Sequence, residues 1–244
     1  MASAAEIDSA ARPYTDGEYL ERNPTWHVED SPWKADNIFQ LILRHSLAPK
    51  TICEVGCGAG EVLAQLQKKL PDDCRFWGYD ISPQAHELSR SRVNERLQFR
   101  QADLFDEPQT SFDLMLVIDL IEHLDDYYGF LRRLKPRGRH AIFHIPLDLS
   151  AYSVWRSYPI LDLRASVGHI HYFTKDTALA ALAKAGHEVV DWFYPEQRLL
   201  LRGKPLRQKA LALMRQTLLR ANADLAVRLL GGRSLMVLTK RDER

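Results

Sequence analysis

The sequence predicts a doubly wound α/β fold, a mostly parallel sheet with helices on both faces. Three observations predict it. Short β-rich runs alternate with helix-period segments from Thr51 onward. One of those runs, FDLMLVID (112–119), carries the apolar stretch Leu114–Ile118, as a central strand buried on both faces must. A glycine-rich turn, GCGAG (56–60), follows the first run directly. Alternation of this kind demands parallel strands joined by right-handed helical crossovers, with ligands bound beyond the strands' carboxyl ends.

The elements follow in order. Pro13, Gly17 and Pro24 argue against regular structure near the N-terminus. In DSPWKADNIFQLILRHSL, Asp30 or Ser31 can cap a helix, Pro32 suits its first turn, and Ile38, Leu41, Ile42 and His45 share one face. TICEVG is a strand, Glu61–Leu70 a helix and RFWGYD a strand. Pro83–Arg96 reads as a helix capped by Ser82. LQFRQAD and FDLMLVID are strands, Asp125–Leu134 a helix, and RHAIFHIP the fifth strand. Thr174 caps a further helix that Gly186 ends. HEVVDWFY and SLMVLTKR complete seven strands, the last antiparallel.

We read residues 1–244 as one domain with appended segments: an N-terminal lid or helix segment (1–47), a ligand-binding core (48–146), an insertion (147–173) and a basic helical insertion (196–232). Such insertions are where a common scaffold acquires a substrate site or partner surface. Trp26, His27 and Trp33 would either close over the ligand as a lid or staple the first helix to the sheet. The second insertion holds nine Lys or Arg between Arg198 and Arg233, against one acid, Asp224. Leu211, Met214 and Leu218 mark one helical face there, with Arg207, Arg215 and Arg220 toward the other. That face suits an anionic membrane or an acidic partner, or simply a solvated rim.

A net charge of +1 gives no global electrostatic case for nucleic acid. The apolar runs are too short to span a bilayer, and the N-terminus lacks the basic start and apolar core of a signal peptide. Cys53, Cys57 and Cys74 lack zinc-site spacing and read as small buried residues, which fits a cytoplasmic location. The oligomeric state leaves no mark in the sequence.

In EVGCGAGE the glycines are spaced G-x-G-x-G, with Glu61 where a dinucleotide fingerprint needs its third glycine. A pyrophosphate would be repelled by an acid at that helix end. Glu54 and Glu61 suit a ligand with cationic groups. Here the sequence resembles the class I S-adenosylmethionine-dependent methyltransferases, whose first motif is E/D-x-G-x-G-x-G. The resemblance runs in order from Thr51 to Pro146. It implies a Rossmann-like methyltransferase fold with S-adenosylmethionine as cofactor and S-adenosylhomocysteine as product. Its cofactor-binding residues would be Glu54, Gly56, Gly58 and Gly60 in the turn, Asp80 for the ribose, and Ile81 beside it. Asp103 with Leu104 would take the adenine, and Asp119 the methionine part. In LKPRGR, Arg137 replaces a glycine usual in the family.

The resemblance implies transfer to a small-molecule acceptor, and the nearby histidines favour an oxygen. A base is needed only if the acceptor must lose a proton. The candidates are His123, His144, His169 and His171, the last two sharing one face of an extended segment. Asp119, Glu122 and His123 form D-x-x-E-H, similar to a motif of some metal-assisted methyltransferases, but no fourth ligand follows from spacing, and no metal is expected. A catalytically silent protein of this fold, binding cofactor, partner or membrane, is the alternative. A nicotinamide oxidoreductase lacks both its third glycine and a Tyr-x-x-x-Lys donor.

Overall fold

The computed structural model describes residues 12–108, 110–196 and 217–241. Seven strands form one sheet: β1 (Thr51–Val55), β2 (Arg75–Asp80), β3 (Leu97–Gln101), β4 (Phe112–Ile118), β5 (Gly138–Leu147), β6 (His187–Phe193) and β7 (Arg233–Arg241). Their order is β3-β2-β1-β4-β5-β7-β6, parallel except for β7, which runs antiparallel to both neighbours. The order reverses between β1 and β4. A crevice therefore opens at their carboxyl ends, directly beyond Val55 and Ile118.

Period-2 patterning sorts the strand side chains between two cores. Along β4, Met115 and Val117 join the core on one face, while Leu114, Leu116 and Ile118 join the other. The second face is covered by α3 (Ser31–Arg44), through Ala35, Ile38, Leu41 and Ile42, and by α4 (Glu61–Gln67), through Val62, Leu63 and Leu66. On the opposite face sit α6 (Tyr127–Leu134) and α9 (Lys175–Lys184), contributing Leu131, Leu134, Ala178 and Leu182. Each large apolar side chain removed from water here contributes about 1.5–3 kcal/mol.

Several local expectations need correction. The N-terminal segment holds two short helices, α1 (Arg12–Thr15) and α2 (Glu18–Arg22), with Gly17 between them in the left-handed region. Glycine separates two helices there where it was read as excluding them. Neither Asp30 nor Ser31 caps α3 with its side chain, because the 3-10 turn Val28–Asp30 runs straight into the helix. Helix α5 (Pro83–Ser89) stops well short of Arg96, since Asn94 pairs with Leu97 at the entry to β3. The insertion after β5 is helical, with α7 (Ala151–Arg156) and α8 (Tyr158–Ser166) meeting at Ser157, φ +55°. Arg137 is buried and donates to the carbonyls of Pro108 and Glu107.

In the second insertion, Leu211, Met214, Arg207 and Arg215 lie outside the described residues. The described part ends in α10 (Ala223–Leu230), which buries Ala226 and Val227 while Arg220 before it and Arg228 within it stay exposed. Asp224 pairs with Lys175 at 2.5 Å and Arg228 with Asp176 at 2.7 Å. Other expectations hold. Ser82 caps α5, Thr174 caps α9 in a capping box with Thr177, Gly186 adopts φ +90° after it, and all three cysteines are buried and free.

Thr174→Ala removes that cap and should lower the unfolding free energy by about 1 kcal/mol, as read from urea denaturation. An unchanged midpoint would contradict the role given to the box.

Candidate active site

The floor of the crevice is the turn after β1. Gly56, Gly58 and Gly60 all have positive φ, +69°, +52° and +77°. A Cβ would strike Leu120 at Gly56, Trp26 at Gly58 and Phe99 at Gly60. Three consecutive glycine requirements thus come from backbone conformation and close packing together. The turn is tied to the end of β2. The N–H groups of Gly56 and Cys57 donate to the Tyr79 carbonyl, and that of Gly58 to Asp80 Oδ2 at 2.8 Å. Asp80 Oδ1 accepts from Ser82 N–H at 2.9 Å. Burial raises the Asp80 carboxyl above its usual range despite those bonds.

Two cavities open on either side of this turn. The smaller, of 440 Å³, is lined by Asp80, Ile81, Asp103 and Leu104 at the ends of β2 and β3. The larger, of 580 Å³, is lined by Glu54, the three glycines, His144, His169 and Ser234. Tyr19, Trp26, Gly56, Asp119 and His123 border both. The two tryptophans of the N-terminal segment take different places. Trp26 stands over Gly58 with its ring edge on Tyr19, covering the junction of the cavities. Trp33 staples, donating from Nε1 to the Glu196 carbonyl at 2.6 Å and packing edge-on against His144. Burial pushes the Tyr19 phenol up to about 12, so it stays neutral in this wall.

Asp119 follows β4 with φ +50°, a costly conformation for a non-glycine residue. It aims the carboxylate between two cations or cation-capable groups. Lys34 Nζ lies 2.8 Å from Oδ2, and His144 Nδ1 lies 2.5 Å from Oδ1. Burial alone would raise this carboxyl, yet His144 and Lys34 hold it well below the usual range. For Lys34, burial opposes the charge and Asp119 more than restores it, leaving the ammonium above its usual range. An ionised Asp119 only accepts, so His144 Nδ1 donates to it. Nε2 lies 2.7 Å from the Ser234 hydroxyl, which donates to it when the imidazole is neutral. The result is a continuous file from Ser234 through His144 to Asp119 and Lys34.

Glu54 is 2% exposed, its Oε2 has no partner, and burial pushes the carboxyl well up. Glu61 also lines the larger cavity. Arg92 at 2.5 Å and Gln65 hold its carboxylate.

These features match a known family. A model described as a methyltransferase domain matches residues 27–191, more than half the chain. Ajmaline N-methyltransferase of Rauvolfia serpentina is 32% identical over 114 residues, covering 42% of this chain and 38% of that protein. The chain therefore matches under two-fifths of that relative's length. Magnesium protoporphyrin IX methyltransferase (ChlM) from Synechocystis PCC 6803, solved with bound SAM, superposes with a TM-score of 0.61 at 12% identity, covering 98% of this chain and 100% of that one. N-methyltransferase NodS from Bradyrhizobium japonicum WM9, solved with S-adenosyl-l-homocysteine, gives 0.60 at 16% identity, covering 97% and 100%. At such identities the two structures speak for the fold. The chain belongs to the class I methyltransferase family.

Within this family member the candidate histidines part company. His169 is buried at the larger cavity and its Nδ1 meets Asp148 Oδ2 at 2.7 Å. His171, expected on the same face, lines neither cavity. Its backbone N–H follows that of Ile170 onto the Glu122 carbonyl, which turns the segment, and its ring packs on Tyr127. His123 borders both cavities, with Nδ1 on the Gly168 carbonyl (3.1 Å) and the Tyr14 hydroxyl (2.8 Å). Its imidazole is lowered to about 4, chiefly by burial and then by His169. Glu122 is fully buried, and burial with the Asp119 charge pushes its carboxyl well up.

Lys34, Ser234 and Asp148 escaped the sequence reading. Lys34 sits on the buried stripe of α3, four and seven residues before Ile38 and Leu41. Ser234 shares its side of β7 with Met236 and Leu238. A polar residue on an apolar period was the available signal in both.

The folded state binds fewer protons at His123 than the unfolded chain between about pH 4 and 6.5, so stability should drop as pH falls through that window. Urea titrations of wild type and His123→Gln should diverge there, the wild type losing up to roughly 3 kcal/mol more. Parallel curves would remove His123 from the account.

Proposed function

We propose that this methyltransferase modifies a small molecule, and that the acceptor atom is an oxygen whose proton leaves through Ser234 and His144. The observation that carries the reading is the Asp119–His144–Ser234 file on the wall of the larger cavity. The residues around the crevice fit the cofactor. Glu54 supplies a buried, unpartnered acceptor oxygen for a cationic group, and the turn lacks a Cβ wherever one would intrude. In this reading Asp80 receives the ribose hydroxyls, Ile81 and Leu104 flank the adenine, and Asp103 takes its amino group. Glu54 and Asp119 face the methionine ammonium.

When bound, S-adenosylmethionine supplies a methyl group made electrophilic by its sulfonium. The protein's share is position, dryness and a proton path. Trp26 and Tyr19 cover the junction where the reacting atoms would meet. Ser234 Oγ accepts the acceptor's proton while passing its own to His144 Nε2. The imidazolium so formed is stabilised by Asp119, and Lys34 keeps that carboxylate ionised. This arrangement suits a hydroxyl, which must lose a proton as the bond forms.

A nitrogen acceptor is the second reading, favoured by the two Rauvolfia serpentina relatives, both N-methyltransferases by name. A neutral amine needs no base in the transition state, so the relay separates the two.

Calorimetry should find S-adenosylmethionine and S-adenosylhomocysteine bound and NAD not bound, with Asp80→Ala weakening both by about 1.5–3 kcal/mol. Absence of binding by either sulfur compound would end the reading. With acceptors found by labelled methyl transfer, His144→Gln and Ser234→Ala should each lower kcat about 10²–10⁴-fold with cofactor affinity kept. Full activity in both variants would assign a nitrogen acceptor instead.

A further inference from the structure

On the wall of the larger cavity lies a cluster that the proton relay does not use. One ligand atom from each of Glu122, His123 and His169 lies within 4.8 Å of the others. Glu122 is 0% exposed, and neither carboxylate oxygen meets a donor from another residue. A carboxyl group buried in that way carries an uncompensated desolvation cost of several kcal/mol when charged. A proton or a bound cation relieves that cost.

The two imidazoles are set up to receive it. Asp148 accepts from His169 Nδ1–H at 2.7 Å, which leaves the Nε2 lone pair free. For His123 the Tyr14 hydroxyl settles the tautomer. That hydroxyl donates to the Val167 carbonyl, so it accepts from His123 Nδ1–H, which the Gly168 carbonyl shares. Again Nε2 is left with its lone pair. A carboxylate or carbonyl on the far nitrogen is the arrangement that orients histidine ligands and raises their basicity.

We propose that Glu122, His123 and His169 bind a first-row divalent cation of the manganese-to-zinc series, with Asp148 as the positioning residue behind His169. Two imidazoles and one carboxylate suit these ions better than magnesium or calcium, which take oxygen donors. Three points within 4.8 Å of one another fit in a circle of radius about 2.8 Å, against ion–ligand distances of roughly 2.0–2.2 Å. Shifts well under an ångström therefore complete the bonds. His123 and His169 both border the larger cavity, so the remaining coordination positions open toward the acceptor. An acceptor oxygen held there would be polarised and lowered in pKa by the ion. That last consequence rests on the function proposed above; the ion site itself does not. It departs from the expectation of no metal, because His169, the ligand that spacing could not supply, comes from a segment 46 residues further along the chain.

The test is a cobalt(II) titration of the full-length protein, first stripped with a chelator and free of cofactor, followed by visible ligand-field absorption. One equivalent should saturate the bands. Glu122→Gln and His169→Gln should each weaken binding more than tenfold, and Asp148→Asn about 10–100-fold. His45→Gln, at the distant Asp191 pair, should change nothing. Zinc added to the wild-type protein should also shift the ring signals of His123 and His169 in NMR spectra and leave His45 in place, a readout that survives if a variant fails to fold. No ligand-field bands up to millimolar cobalt, or bands undiminished in both ligand variants, would overturn the site. Calorimetry with S-adenosylmethionine on the same samples is independent, so either reading can fail alone.

Discussion

Asp119 carries a negative charge at the junction of two cavities, where a carboxylate without a counterion would cost several kcal/mol. Much of the site's architecture answers that cost. Lys34 reaches it from α3, His144 from β5, and Ser234 extends the file from β7. Three elements far apart in sequence are thereby drawn to the mouth of β4. The left-handed backbone at Asp119 is tolerated because these partners, with its N–H on the His144 carbonyl, over-determine it. Removing one of them would leave a charge that the others are poorly placed to neutralise.

The same point divides the crevice into two chemical environments. On the β2 and β3 side the walls are carboxylates and apolar platforms, Asp80 and Asp103 beside Ile81 and Leu104. On the β5 and β7 side the walls are imidazoles and a hydroxyl, groups that hold and pass protons. Trp26 and Tyr19 line both cavities at that boundary.

Legibility followed periodicity. The seven strands, the caps at Ser82 and Thr174 and the stop at Gly186 were readable because each rests on a few neighbouring residues. The glycine turn was readable too, although its demands come from Leu120, Trp26 and Phe99, none of them neighbours in sequence. What failed locally failed for local reasons, as where a 3-10 turn replaced a capped start at Asp30. His171 shows the other kind of failure. Alternation placed it beside His169, but the Glu122 carbonyl takes the backbone N–H groups of Ile170 and His171 and turns the chain between the two rings.

By itself, then, the sequence determined the alternating sheet, the crevice at its reversal and the acids at the strand ends. Those properties depend on side-chain period and on backbone freedom, which short segments carry within themselves. Only the tertiary structure decided which polar groups meet. The Lys34–Asp119–His144–Ser234 file joins positions up to 200 residues apart, and the Glu122–His123–His169 cluster joins a strand end to an insertion. A hydrogen bond or an ion pair needs contact within about 3 Å, and contact across such separations is set by how the whole sheet and its helices pack.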